Sequence, residues 1–192
     1  MLRSRKVKSR KVVMAVFTAV VLTIALPAAR AQKDPDVGGA PMFATKTIVE
    51  NAMNSKDHTT LVAAVKAAGL VDTLEGSGPF TVFAPTNDAF DKLPAGTVDT
   101  LLKPENKDML AKVLIYHVVA GRISAMDLEK KIKAGHGKAE LKTVQGETLT
   151  ATWMDNKIML TDERGGMATI TIPDVYQSNG VIHVVDTVLM PN

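Results

Sequence analysis

The chain of 192 residues contains no cysteine. That excludes disulfides, a thiolate metal site and a cysteine-acylated lipid anchor. Tryptophan occurs once, and a lone Trp153 on a strand reads as core or rim before it reads as a carbohydrate platform. The four histidines, His58, His117, His136 and His183, fall in no metal-ligand spacing such as HExxH or HxH. No G-x-S-x-G elbow is present, so Ser178 reads as a turn residue and not as a nucleophile. Gly38-Gly39 and Gly165-Gly166 lack both the Walker lysine and the dinucleotide glycine spacing, which excludes a phosphate loop. No cofactor and no metal are called for. No internal repeat is visible, so one copy of one domain is expected.

Long apolar runs are also scarce, and the main one is short. Residues 2–11 carry Arg3, Arg5, Lys6, Lys8, Arg10 and Lys11, and the apolar run Val12–Leu26 follows, interrupted by Thr18 and Thr23. Its length of about 15 residues falls short of the roughly 20 needed to span a bilayer. Ala29-Arg30-Ala31 is a small-x-small cleavage site, so residues 1–31 read as a secretory signal peptide cut after Ala31, leaving no integral span. No paired arginines precede the run, which favours the general secretory route. Seven of the 23 basic residues and none of the 20 acidic ones lie in this leader, so the remainder carries 16 basic against 20 acidic side chains, net −4. The basic balance therefore belongs to the precursor, and nucleic acid is not an expected partner.

Gln32–Ala44 holds Pro35, Gly38, Gly39 and Pro41 and is expected to be a flexible lead-in, with the domain at 45–192. Thr47-Ile-Val-Glu50 is a capping-box pattern opening a helix with Ile48, Val49, Ala52 and Met53 on one face. Asp57 is placed to cap a second helix, in which Leu61, Val62, Val65 and Ala68 recur until Gly69 ends it. Phe80–Ala84 is a strand buried on both faces, stopped by Pro85. Thr86 then caps a helix with Asp88 in its first turn, where the dipole favours a negative charge, and Phe90 on its apolar face. Pro104 suits the first turn of a longer helix whose apolar face is Met109, Leu110, Val113 and Leu114 and which reaches Tyr116 and His117. Ser124-Ala-Met-Asp127 is a second capping box, and Gly135 closes its helix. The same helix carries Lys130, Lys131 and Lys133 as a solvated face opposite Leu128 and Ile132. From Ala139 the period becomes 2, with Asp155-Asn156 and Asn179-Gly180 as hairpin signals. Helices first and strands afterwards argue an α+β fold.

Two segments are more specific than their physics. Thr81–Phe90, TVFAPTNDAF, and Gly180–Pro191, GVIHVVDTVLMP, resemble the two signature segments of the fasciclin (FAS1) domain, and Tyr116-His117 stands where that family carries its Tyr-His motif. The likeness spans Thr45–Pro191. It implies a twisted β-wedge with helices packed against it. The signature segments would supply central strands, so Thr81, Phe83, Pro85, Thr86, Asn87, Asp88, Phe90, His183 and Asp186 would hold the fold. Substitution of Asp88 or His183 is accordingly expected to damage folding before any contact. The resemblance also implies a non-enzymatic module that binds a cell-surface or extracellular protein or polysaccharide, and the leader implies a secreted or periplasmic location. In animal members the Tyr-His segment, flanked by bulky apolar residues, is tied to integrin binding. Here Leu114, Ile115, Val118 and Val119 keep that pattern, while no Arg-Gly-Asp tripeptide is present. Tyr116 and His117 are thus candidates for the recognition surface. The rival readings are carriage of an apolar lipid or pigment in a cleft, and a hydrolase.

Overall fold

The structure, a computed structural model, describes residues 34–192. The expected leader with its cut after Ala31, and Gln32, lie outside the described residues. Glycines at 38 and 39, both at positive φ, turn the chain between β1 (Asp36–Val37) and β2 (Ala40–Pro41). This segment is not a loose lead-in. Val37, Ala40 and Met42 are buried in the core, and the Lys56 N–H donates to the Gly38 carbonyl at 3.1 Å. Three apolar side chains so close to Gly and Pro outweigh the flexible composition, and the folded domain begins before Thr45.

Helix α1 (Ile48–Ala52) opens on the Thr47 capping box, with both reciprocal bonds formed. Met53 ends up exposed. A 3-10 turn at Lys56–His58 leads into α2 (Thr59–Ala68), so Asp57 sits inside that turn and caps nothing. Gly69, at φ 70, closes α2, and α3 (Val71–Glu75) follows. Strand β3 (Phe80–Pro85) runs into α4 (Asn87–Asp91), then α5 (Thr97–Leu101), a 3-10 turn at Pro104–Asn106 and α6 (Lys107–Tyr116). Pro104 begins the 3-10 turn, and Met109 points to solvent while Leu110, Val113 and Leu114 are buried. Beyond β4 (Val118–Ala120), α7 (Ala125–Ala134) carries the second capping box. Strands β5 (Lys138–Lys142), β6 (Thr148–Met154), β7 (Lys157–Thr161), β8 (Met167–Gln177) and β9 (Gly180–Val185) complete the chain.

Seven strands form one sheet in the order β4-β3-β9-β8-β7-β6-β5. Only β3 and β9 pair in parallel; every other pair is antiparallel. The sheet curls until its ends approach. Val119 bridges Thr143, and the Val144 N–H donates to the Val118 carbonyl at 2.8 Å. The result is an α+β molecule with a nearly closed wedge. Alternation along β3 divides two cores. Val82 and Ala84 join the core beneath α1–α6, while Phe83 points into the wedge with Leu149, Ala151, Leu160 and Val185, where Leu128 and Ile132 of α7 also pack. Asp155 and Asn156 make the β6–β7 turn, both at positive φ. The last hairpin is one residue out of the expected place: Gln177 pairs Gly180, so Ser178 and Asn179 form its tip.

Candidate functional site

The two signature segments lie side by side, with Phe83 opposite His183 and Pro85 opposite Val185. Their rings at 83 and 183 stack with centroids 5.7 Å apart. His183 has both ring nitrogens in use. Nδ1 accepts from the Asp174 N–H at 3.2 Å, and Nε2 lies 2.9 Å from the Ile123 carbonyl. A carbonyl only accepts, so Nε2 carries the proton and the ring is neutral. The Asp174 donor is available because β8 bulges between Ile172 and Val175, where Asp174 takes φ 58. Burial holds the His183 pKa below the usual histidine value, with the Ile123 carbonyl and Asp174 opposing.

Thr81 is buried. Its hydroxyl donates to the Gly121 carbonyl at 2.7 Å and accepts from the Ile123 N–H at 2.9 Å. Thr86 caps α4 by accepting from the Ala89 N–H. Asn87 takes the role foreseen for Asp57. Its side-chain oxygen accepts from the Thr60 N–H at 3.0 Å, capping α2 from another element, and its amide donates to the Lys56 carbonyl. Pro85 and Phe90 are buried. Asp186 accepts from the Thr169 N–H at 2.8 Å and meets Lys92 at 3.8 Å in a partly exposed pair. Asp88 departs from expectation. Its side chain is exposed at the first turn of α4, so its contribution is a surface charge near the dipole and no core bond.

Tyr116 and His117 do not form a surface site. Tyr116 is 0% exposed and His117 3%. The Tyr116 ring enters the wedge core, where its hydroxyl donates to the Thr148 carbonyl at 3.1 Å. Burial pushes its pKa up to about 12. His117 Nδ1 lies 2.8 Å from the Val113 carbonyl, and its Nε2 accepts from the Leu189 N–H at 3.0 Å. This ring is also neutral, with the proton on Nδ1, and burial holds its pKa low. The reason for the reversal is topological. The chain passes from α6 straight into β4, which carries the Tyr116 ring into the wedge core and the His117 ring to the wall of the cavity beneath the helices.

Several residues outside the expected set matter equally. Asn179 accepts from the Ile48 N–H at 3.0 Å and donates to the Leu74 and Gly76 carbonyls. Asp162 accepts from the Arg164, Gly166 and Met190 N–H groups. His58 is buried, with Nδ1 2.9 Å from Ser55 Oγ and Nε2 without a hydrogen bond. In the sequence Asn179 is marked only as a turn residue beside Gly180. Among the described residues, no group of three or more His, Asp or Glu side chains stands where it could hold a metal ion, and no helix is long and apolar enough to cross a membrane.

A parallel pair of buried strands that joins a helical layer to a curled sheet, with its polar side chains spent on backbone groups, defines a compact α+β wedge module. The Fasciclin domain family model matches residues 56–191, and the chain belongs to that family. Among curated proteins it is similar to protein sll1483 of Synechocystis sp., 48% identical over 160 residues that cover 83% of this chain and 82% of that protein. It is 36% identical over 166 residues to the cell surface glycolipoprotein MPB83 of Mycobacterium bovis, covering 84% and 68%. Among solved structures it resembles a FAS1 domain pair from the insect cell adhesion molecule Fasciclin I, with a TM-score of 0.66 and 19% identity. That match covers 76% of this chain and 51% of the two-domain structure, and it speaks to the fold alone.

Proposed function

We propose that this chain is an exported, non-enzymatic contact module that presents a rigid face to a cell-surface or extracellular protein or polysaccharide. One observation carries the reading. Both ring nitrogens of His117 and of His183 are engaged by backbone groups, which leaves neither imidazole a free lone pair or proton for chemistry on a substrate, and Thr81 and Asn87 are likewise hydrogen-bonded to backbone. The binding surface then lies outside the signature segments, on exposed side chains. The surface location named for the mycobacterial relative agrees with export. The test is affinity capture by the purified domain from native envelope and culture medium, with crosslinking and mass spectrometry. A saturable partner that survives His183→Gln and Tyr116→Phe substitution supports the reading. Turnover of an ester or glycoside panel, abolished by a single substitution, would replace it with a hydrolase.

A second reading, carriage of an apolar small molecule, has its own observation. A cavity of about 50 Å³ lies between α1, α2 and the sheet, lined by Val49, Leu61, Val65, Val82 and Val184 with His58 at its wall. An engineered cavity of about 150 Å³ is what accommodates benzene. A lipid or pigment would therefore require α1 and α2 to part. Mass spectrometry of organic extracts from natively purified protein decides: a stoichiometric lipid or pigment favours the carrier, and a clean extract retires it.

A further inference from the structure

The chain after β9 forms no further strand, and side chains hold it. The Leu189 N–H donates to His117 Nε2 at 3.0 Å, the Met190 N–H to Asp162 Oδ2 at 3.0 Å, and the Asn192 N–H to Glu147 Oε2 at 2.9 Å. The Asn192 amide adds a bond to Glu163 at 2.8 Å. Val188 and Leu189 are buried, and Leu189 sits in the wedge core with Tyr116 and Phe83. A tail pinned by a paired strand would be indifferent to pH. Every acceptor here is titratable, and the innermost is an imidazole, which changes charge at milder pH than a carboxylate.

We infer that the segment Val188–Met190 is an acid-released strap, let go when a proton from solvent adds to His117 Nε2. The neutral ring accepts from Leu189 through the Nε2 lone pair. Protonation consumes that lone pair and leaves an N–H facing an N–H. The new N–H competes with the Met190 N–H for the Asp162 carboxylate, whose charge favours the protonated ring. Burial opposes the charged ring and delays the proton to lower pH, while the Val113 carbonyl and Asp162 work the other way. Its own helix offers the Val113 carbonyl, already bonded to Nδ1. Strand β3 presents no charge and bonds only the His117 carbonyl, through the Phe83 N–H. The loop after β7 supplies Asp162 and Glu163, and the β5–β6 turn supplies Glu147, with Lys112 and Arg164 acting on the latter. His58 shares the cavity on the helical side. The Asn192 end stays attached over the same range, because Glu147 is held ionised below the usual carboxylate value by the Asn192 N–H and Gln145.

The experiment is amide exchange followed by NMR on the natively purified protein, from about pH 7.5 to about pH 5, corrected for intrinsic exchange rates. Leu189 and Met190 are expected to lose protection by roughly tenfold or more as the His117 ring carbon titrates, while Asn192 and the β3 and β9 amides keep theirs. His117→Gln leaves a non-titrating acceptor at similar reach, so the strap stays closed through the same range. Simultaneous loss across β3, β9 and the strap overturns the inference, because it means global acid unfolding. Unchanged protection at Leu189, or release at the same pH in His117→Gln, overturns it equally. If that variant does not fold, the wild-type comparison of strap with sheet amides still decides.

Discussion

Asn179 occupies the tip of the last hairpin, yet its amide joins three backbone groups from the helical layer. A small side chain cannot replace those bonds, and a buried unpaired donor or acceptor costs about 1–3 kcal/mol. Asn179→Ala is therefore expected to lose about 3 kcal/mol or more in urea denaturation. Its neighbour Gly180 is equally constrained, since a Cβ there would collide with the Phe80 carbonyl across the parallel pair. The contrast within the signature segments is sharp. His183→Ala removes two bonds and a stacked ring from the centre, and about 2–4 kcal/mol should go with them. Asp88→Ala touches only an exposed helix turn and should cost no more than about 0.5–1 kcal/mol. An Asp88 variant as unstable as the His183 variant would refute this assignment. Asn179 was not legible in the sequence because its partners lie 131, 105 and 103 residues away. A residue pair at such separation leaves no local pattern.

At the scale of elements, what was local was readable. Both capping boxes, the Thr86 cap, the Gly69 stop and the Asp155-Asn156 turn depend on three or four consecutive residues, and each formed as read. The cap of α2 was not readable, because its donors are met by Asn87 from beyond β3 and not by Asp57. Asn87→Ala should therefore destabilise α2, with loss of amide protection at Thr60 and about 1 kcal/mol overall, while Asp57→Ala leaves both unchanged. The Tyr-His pair shows the same limit. Its amphipathic helix was legible, and its burial was not, since that depends on β4 docking beside β3 and on the tail crossing over His117. The hydroxyl and the ring of Tyr116 separate in experiment. Tyr116→Phe loses one bond to Thr148 and about 1 kcal/mol, whereas Tyr116→Ala empties part of the wedge core and costs about 3–5 kcal/mol. Equal melting of both variants would mean that the ring does not pack as described.

For the whole molecule, three buried neutral histidines set the response to acid. His58, His117 and His183 each have a pKa held below the ordinary value, in every case chiefly by burial. In the unfolded chain each titrates near about 6.5. Below that value the unfolded state binds more protons than the native state, so stability falls as pH falls, and the fall for each group continues until its native pKa is reached. Each proton contributes a slope of at most about 1.4 kcal/mol per pH unit, so the three set a limit of about 4 kcal/mol per pH unit. The carboxylates belong to a lower window. Glu50, held low by the Thr47 N–H, and Asp127, held low by Ser124, add stability that is present above ordinary carboxylate values and lost only below them. Unfolding free energies measured in urea at constant ionic strength should therefore be level above about pH 7.5 and decline steeply between about pH 6.5 and 5. His183→Gln, once folded, should decline about one third less steeply. The strap enters the same ledger. Once it lets go, His117 binds its proton in the native state too and stops contributing to the difference. The slope then rests on His58 and His183, and a break in the curve at the pH where Leu189 loses protection is the expected mark of that order. A flat profile down to about pH 5 would mean that these rings carry protons in the folded chain, contrary to the hydrogen bonds that His117 and His183 make.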